Sequence, residues 1–105
     1  VDKVIEAGEE SGERMWQFPI YSEHKELLRS EVADMANVPA TRGAGVIAGA
    51  VFLQEFIDSK VSWAHLDICS TAWLDGEKPY SAKGPTGVGI RTLLSLLDTL
   101  QAENS

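Results

Sequence analysis

The stretch that most restricts this chain is residues 61–68, Val-Ser-Trp-Ala-His-Leu-Asp-Ile, which is mostly apolar on both faces that a strand would present. A strand with one wet face alternates apolar and polar residues. A run that does not alternate belongs inside a sheet covered on both sides. That requires helices above and below it and further strands beside it. The run then opens onto four small residues, Cys69, Ser70, Thr71 and Ala72. A strand whose C-terminal end meets small side chains is a usual way for an α/β fold to build the floor of a ligand site.

The rest of the chain supplies helices more readily than strands. Val1, Val4, Ile5 and Ala7 predict a short amphipathic helix over 1–12, weakened by Gly8 and ended by Gly12. Trp16, Phe18, Pro19 and Ile20 form an extended apolar link, because Pro19 is barred from a helix interior. Ser22 suits an N-cap, Lys25 stands where a capping box wants Glu, and Glu23 and Glu26 favour the dipole of a helix over 23–30. Residues 32–38 read as a short strand or an irregular segment ending at Pro39.

The densest apolar region is 43–57. Val46, Ile47, Ala50, Val51, Phe52, Leu53, Phe56 and Ile57 cover nearly the whole circumference of a helix, which predicts burial on most sides. Gly43, Gly45 and Gly49 each cost about 1 kcal/mol in a helix interior relative to Ala, so close approach to a neighbouring backbone is the expected benefit. Asp58, Ser59 and Lys60 predict a turn before the 61–68 run. Residues 74–87 read as a loop, with Asp75-Gly76 as a turn and Pro79, Gly84, Pro85 and Gly87 as breakers. A last helix over 88–102 carries Ile90, Leu93, Leu94, Leu97 and Leu100 at helical spacing, broadened by Leu96.

Two strands cannot make an inner sheet. The expected fold is therefore α/β: part of a three-layer α/β/α sandwich, a mixed sheet with flanking helices, completed by strands from another segment or chain. The 105 residues suit a single domain, here expected to be incomplete.

Charge and composition narrow the function classes. The net charge is −7, and residues 1–34 hold nine acidic against four basic side chains. That balance argues against nucleic acid as a partner, which needs a basic surface; a solvated acidic helix face accounts for it. No apolar run approaches the roughly 20 residues of a membrane span, and no signal segment opens the chain. Cys69 is the single cysteine, so no internal disulfide can form and a reducing, cytoplasmic setting is expected.

Several residues invite chemical readings. His65 and Asp67 lie two apart, on one face of a strand with Trp63, as a metal-ligating pair or a carboxylate–histidine dyad would. The plainer reading is a buried His hydrogen-bonded to Asp at the sheet. His24 falls on an exposed helix face. Cys69 as a thiol nucleophile needs a base or a helix N-terminus beside it, whereas a small packing residue needs neither. Ser70 and Thr71 lack the Gly-x-Ser-x-Gly elbow of a hydrolase. Arg42, Gly43, Ala44 and Gly45 before one helix either present backbone N–H groups to an anion or form a helix entry packed tightly on its neighbour, and the run from Lys83 to Gly87 before another is either an anion site or a structural turn. Neither has the Gly-Lys-Ser/Thr ending of a phosphate loop.

Taken together, the segments form an ordered set that resembles the leucine (cytosol) aminopeptidase family. Residues 63–73, Trp-Ala-His-Leu-Asp-Ile-Cys-Ser-Thr-Ala-Trp, are similar to that family's Trp-Ala-His-Leu-Asp-Ile-Ala-Gly-Thr-Ala-Trp. Residues 9–19 resemble its Glu-x-Ser-Gly-Glu-Arg-x-Trp-x-x-Pro stretch, and 33–38 its Ala-Asp-x-x-Asn-Ile segment. Residues 42–53 resemble its Arg-x-Ala-Gly helix, with Ala50, Phe52 and Leu53 in the Ala-x-Phe-Leu core. Pro79, Tyr80, Lys83, Gly84, Thr86, Gly87 and Arg91 repeat its closing pattern in order.

The resemblance implies a metal-dependent exopeptidase that removes an N-terminal residue, often Leu, from peptides. Such enzymes are hexamers with an N-terminal domain and a C-terminal catalytic α/β domain. They use two divalent cations, zinc or manganese, held by a Lys and carboxylates, with a bicarbonate on the Arg of an Asn-Thr-Asp-Ala-Glu-Gly-Arg motif. That motif is absent here; in the family it lies upstream of the segment matching Val1. The resemblance therefore implies that 1–105 is a C-terminal segment of the catalytic domain, a homo-oligomer's scaffold without metal ligands or cofactor of its own, inactive alone and partnered by the N-terminal portion of that domain. Its expected contribution is a pocket wall for the peptide substrate's first side chain: Cys69, Ser70, Thr71 and Ala72. Cys69 and Ser70 replace Ala and Gly and add volume and polarity there. Thr41-Arg42-Gly43 and Val46-Ile47 also depart from the family's commoner versions. The alternative is a free-standing, non-catalytic oligomerisation or interaction module that pairs an open sheet edge with another subunit.

Overall fold

The computed structural model describes residues 1–39, 43 and 45–105. The elements run α1 (Asp2–Ser11), a 3-10 helix (Ser22–Leu28), α2 (Gly45–Gln54), β1 (Trp73–Leu74), β2 (Gly84–Pro85) and α3 (Ile90–Glu103). They form two compact units, one made of Val1–Trp16 with Leu66–Ser105, the other of Gln17–His65.

In the first unit α1 and α3 pack antiparallel. Ser11 meets Thr92 (3.1 Å), the Ser95 hydroxyl donates to Glu10 (2.9 Å), and Lys3 pairs with Glu103 at the far ends. Ala7 and Thr92 are 2% and 0% exposed, so small side chains let the helices approach closely. α1 stops as its sequence predicts. Gly12 takes the left-handed conformation (φ 77°), its amide donates to the Glu9 carbonyl, and the Glu13 amide donates to the Gly8 carbonyl at 2.8 Å. This is the paired-bond helix stop that a left-handed glycine permits. Gly8 is also required: a Cβ there would sit 2.7 Å from the Glu13 carbonyl oxygen.

The face α3 turns to α1 is not its leucine stripe. Thr92 and Ser95 face α1, while Ile90, Leu93, Leu94 and Leu97 are each 49–60% exposed. Of the apolar residues at helical spacing, those four stay largely exposed, while Leu96 and Leu100 are half-buried.

The predicted loop over 74–87 contains a small antiparallel sheet. Trp73 pairs with Pro85 and Leu74 with Gly84, and an isolated bridge joins Lys78 to Ser81 around Pro79 and Tyr80. Pro85 is tolerated because it sits on the edge of a two-stranded ladder. The inner strand expected at 61–68 does not form: residues 62–68 carry no regular secondary structure. A strand exists only through its ladder partners, and the described residues offer that run none. What the chain shows is helices plus this two-stranded antiparallel sheet; the mixed sheet is not seen among the described residues.

In the second unit the 3-10 helix packs on α2, with Leu28, Ala48, Ala50 and Val51 buried between 1% and 7% exposure. The first of these helices ends two residues earlier than predicted, because the Ser30 hydroxyl accepts the amides of Val32 and Ala33 and turns the chain. Its start is fixed by His24 rather than Ser22: Nδ1 accepts the Tyr21 amide at 3.0 Å, which leaves His24 half-buried instead of solvent-facing. Residues 32–38 are irregular. α2 is buried on one side only; Val46 and Leu53, and Phe56 just beyond its end, are 42–66% exposed. The close approach expected at Gly45 and Gly49 is also absent, since no described atom lies within 4 Å of a Cβ built there. Asp58 closes the predicted turn by accepting the Lys60 amide at 2.9 Å.

Candidate functional site

Residues 67–72 form one tight turn, built by the residues just before it. The Asp67 carboxylate accepts the Cys69 amide at 2.9 Å. The Ile68 carbonyl accepts the amides of Thr71 (3.0 Å) and Ala72 (2.8 Å), and the Thr71 hydroxyl as well (3.3 Å). Asp67 is therefore occupied with shaping the turn. Cys69, Ser70 and Thr71 are exposed and Ala72 half-buried, so the four predicted wall residues share one surface feature. The Cys69 thiol is free, and among the described residues the Ser70 hydroxyl has no hydrogen-bond partner within the chain. His65 stacks on Trp63 with ring centroids 6.3 Å apart.

The far side of the turn is held by Thr86. Its amide donates to the Ala72 carbonyl (2.9 Å) and its hydroxyl to the Thr71 carbonyl (2.6 Å), while its hydroxyl oxygen accepts the Val88 amide (3.2 Å). Of the backbone donors in the Lys83–Gly87 run, the Thr86 amide is thus taken by a partner inside the protein.

The start of α3 already has an anion. Gly89 stands at the N-cap with φ 93° and no side chain to cap with. Glu13, delivered by the turn after Gly12, fills the role: Oε2 accepts the Gly89 amide (2.6 Å), and Oε1 accepts the Thr92 amide (3.0 Å) and hydroxyl (3.1 Å). The Arg91 guanidinium stands 4.0 Å away, and the Glu13 side chain is only 8% exposed. The Gly89 amide is the main reason the Glu13 carboxyl is held below its usual value; burial opposes the shift, and Thr92 and Arg91 add to it. Negative charge at a helix N-terminus with N–H donors aimed at it is a stable arrangement. Sequence reasoning missed Glu13 and Thr86. The available signal was a helix opening on Gly-Val-Gly with no capping side chain, whose first amides need an acceptor from elsewhere.

The other anion-site reading, at Arg42 to Gly45, rests on Arg42 and Ala44, which lie outside the described residues. A cleft of about 360 Å³ in the second unit is lined by Lys25, Glu26, Leu28, Arg29, Asp34, Met35 and Glu55, with Lys25 and Glu55 paired at 2.9 Å. Its walls combine that surface ion pair, further charged side chains and the apolar Leu28 and Met35.

Comparison with known proteins decides the family. The catalytic domain of the cytosol aminopeptidase family matches residues 1–94. The chain belongs to that family. It is 52% identical over 95 residues to a probable cytosol aminopeptidase of Solibacter usitatus, a match that covers 90% of this chain and 19% of the relative. Among solved structures, the bottromycin maturation enzyme BotP superposes with a TM-score of 0.89 at 37% identity, covering 96% of this chain and 22% of BotP. BotP has also been solved in complex with Mn. A tomato leucine aminopeptidase variant gives a TM-score of 0.81 at 40% identity over 91% of this chain and 18% of that one. The chain thus spans about a fifth of the length of the relatives it matches.

Among the described residues, no group of three or more His, Cys, Asp or Glu side chains converges. No described helix is long and apolar enough to cross a membrane.

Proposed function

We propose that residues 1–105 are the C-terminal segment of the catalytic domain of a cytoplasmic, metal-dependent aminopeptidase, where they supply scaffold and the wall of the pocket for the substrate's first side chain. The observation that carries this reading is the turn at 69–72. It is the local counterpart of the family's Ala-Gly-Thr-Ala turn, and it presents Cys69 and Ser70 outward while its backbone is tied down behind them. Zinc or manganese and a bicarbonate belong, on this reading, to the part of the catalytic domain that the relatives carry beyond the matched region. The exposed leucines of α3 and the exposed apolar side of α2 support it, since a sequence that dense in apolar residues suits a larger core. In the complete domain, residues 62–68 become an inner strand of the three-layer sandwich. Assembly as a hexamer follows from the same family reading.

The test has two arms. The isolated chain with Leu-p-nitroanilide and manganese should give no turnover, and robust, chelator-sensitive release would refute the proposal. In the complete open reading frame, replacing Cys69→Ala together with Ser70→Gly should raise preference for a large aliphatic first residue about tenfold or more, the range that one methylene commands in an apolar pocket. Unchanged preference would remove the turn from the pocket. A reading frame that opens near Val1, with no metal-binding motif upstream, would favour the non-catalytic module instead.

A further inference from the structure

Two kinds of bond hold the far side of the 69–72 turn, and they differ in what they ask of the sequence. The Thr86 amide on the Ala72 carbonyl extends the β1–β2 ladder by one step, and any residue but proline supplies it. The hydroxyl bond to the Thr71 carbonyl, at 2.6 Å, needs Ser or Thr. That hydroxyl is itself oriented, because its oxygen accepts the Val88 amide at 3.2 Å and so its proton is directed to Thr71. The remaining bonds of the turn run to Ile68 and Asp67, on the side from which the chain arrives. Without the Thr86 hydroxyl, the far side keeps only the backbone bond at Ala72, and the Thr71 carbonyl next to Cys69 and Ser70 loses its tie.

We propose that Thr86 is a positioning residue whose hydroxyl, by holding the Thr71 carbonyl, fixes where Cys69 and Ser70 stand and hence how the enzyme fits the first side chain of its substrate. Thr86 touches no substrate; it acts through Thr71. The specificity half of the proposal rests on the pocket-wall reading above, whereas the brace itself does not.

The test uses the complete open reading frame with Thr86→Val, which keeps shape and loses the hydroxyl, and Thr86→Ser, which keeps the hydroxyl. Cys69 alkylation by iodoacetamide, followed peptide by peptide in a mass spectrometer, reports the turn without reference to activity. Thr86→Val should speed alkylation about two- to tenfold, the scale of one net hydrogen bond. It should raise KM for large first residues by a similar factor with kcat within about twofold, and Thr86→Ser should restore both. Should Thr86→Val fail to fold, Thr86→Ala is read the same way. Unchanged alkylation, or no rescue by Ser, overturns the brace. Faster alkylation with KM unmoved for every first residue upholds the brace and overturns the pocket reading.

Discussion

Replacing Glu13 by Gln tests the link between the turn after α1 and the start of α3. The glutamate receives three hydrogen bonds, one at Oε2 and two at Oε1, and its side chain is 8% exposed. Glutamine keeps a single acceptor oxygen. It can satisfy either the Thr92 pair or the Gly89 amide, and its own NH₂ then faces whichever donor is left. An unsatisfied buried donor costs about 1–3 kcal/mol. Removing a negative charge from a helix N-terminus costs about 0.3–1 kcal/mol more, and up to about 2 in partly buried sites. The expected loss is about 1–5 kcal/mol at pH 7, read from urea unfolding followed by helical circular dichroism. The pH dependence has a defined sign. The carboxyl is lowered on folding, so its contribution is complete above the ordinary glutamate value, about 4.3, and is lost as pH falls through the lower folded value. The gap between wild type and Glu13→Gln should therefore be flat near neutrality and shrink in acid. A gap under about 0.5 kcal/mol at pH 7, the scatter of ordinary surface substitutions, or one that widens on acidification, would refute the capping argument.

Other substitutions probe neighbouring features. Gly8→Ala gains helix propensity of about 1 kcal/mol, yet its Cβ meets the Glu13 carbonyl at 2.7 Å, so net destabilisation and a lower melting temperature are expected. Gly12→Ala meets no atom within 4 Å but must hold φ 77°, which should cost about 1–2 kcal/mol in chemical denaturation. Lys25→Ala removes an ion pair whose lysine is 62% exposed, and a double-mutant cycle with Glu55 should find a coupling below about 1 kcal/mol. The exposed face of α3 should make the isolated chain self-associate, and Leu97→Lys, at a position 60% exposed, should reduce that in light scattering with helicity unchanged.

How much of this was legible from sequence depends on the range of the interaction. α1 with its Gly12 stop, α2 and α3 were readable to within a few residues, because caps, periodicity and left-handed glycines act over one or two helical turns. The 73–85 hairpin was hidden because Pro79, Gly84 and Pro85 read as breakers, although an edge ladder of two residues accepts them. At the candidate site the turn itself was legible in a run of small residues. The long-range bonds around it were not: Thr86 reaches the turn at Thr71 across 15 positions, and Glu13 caps α3 at Thr92 across 79.

The faces that sequence and structure assign differently carry an argument of their own. Periodicity reports that a helix face is apolar, but what lies against that face is a matter of topology. α3 meets α1 through Thr92 and Ser95, bonded to Ser11 and Glu10, while Ile90, Leu93, Leu94 and Leu97 stay in solvent. α2 is apolar almost all round and is covered on one side. The 61–68 run is apolar on both faces and has no ladder. Each mismatch has the same sign, more apolar surface than the described residues cover, and a helix face of four exposed large side chains is unusual for a surface that stays in water. Surplus apolar faces of this kind are what the larger domain of the proposed reading would cover. This matches a chain that spans about a fifth of its relatives' length.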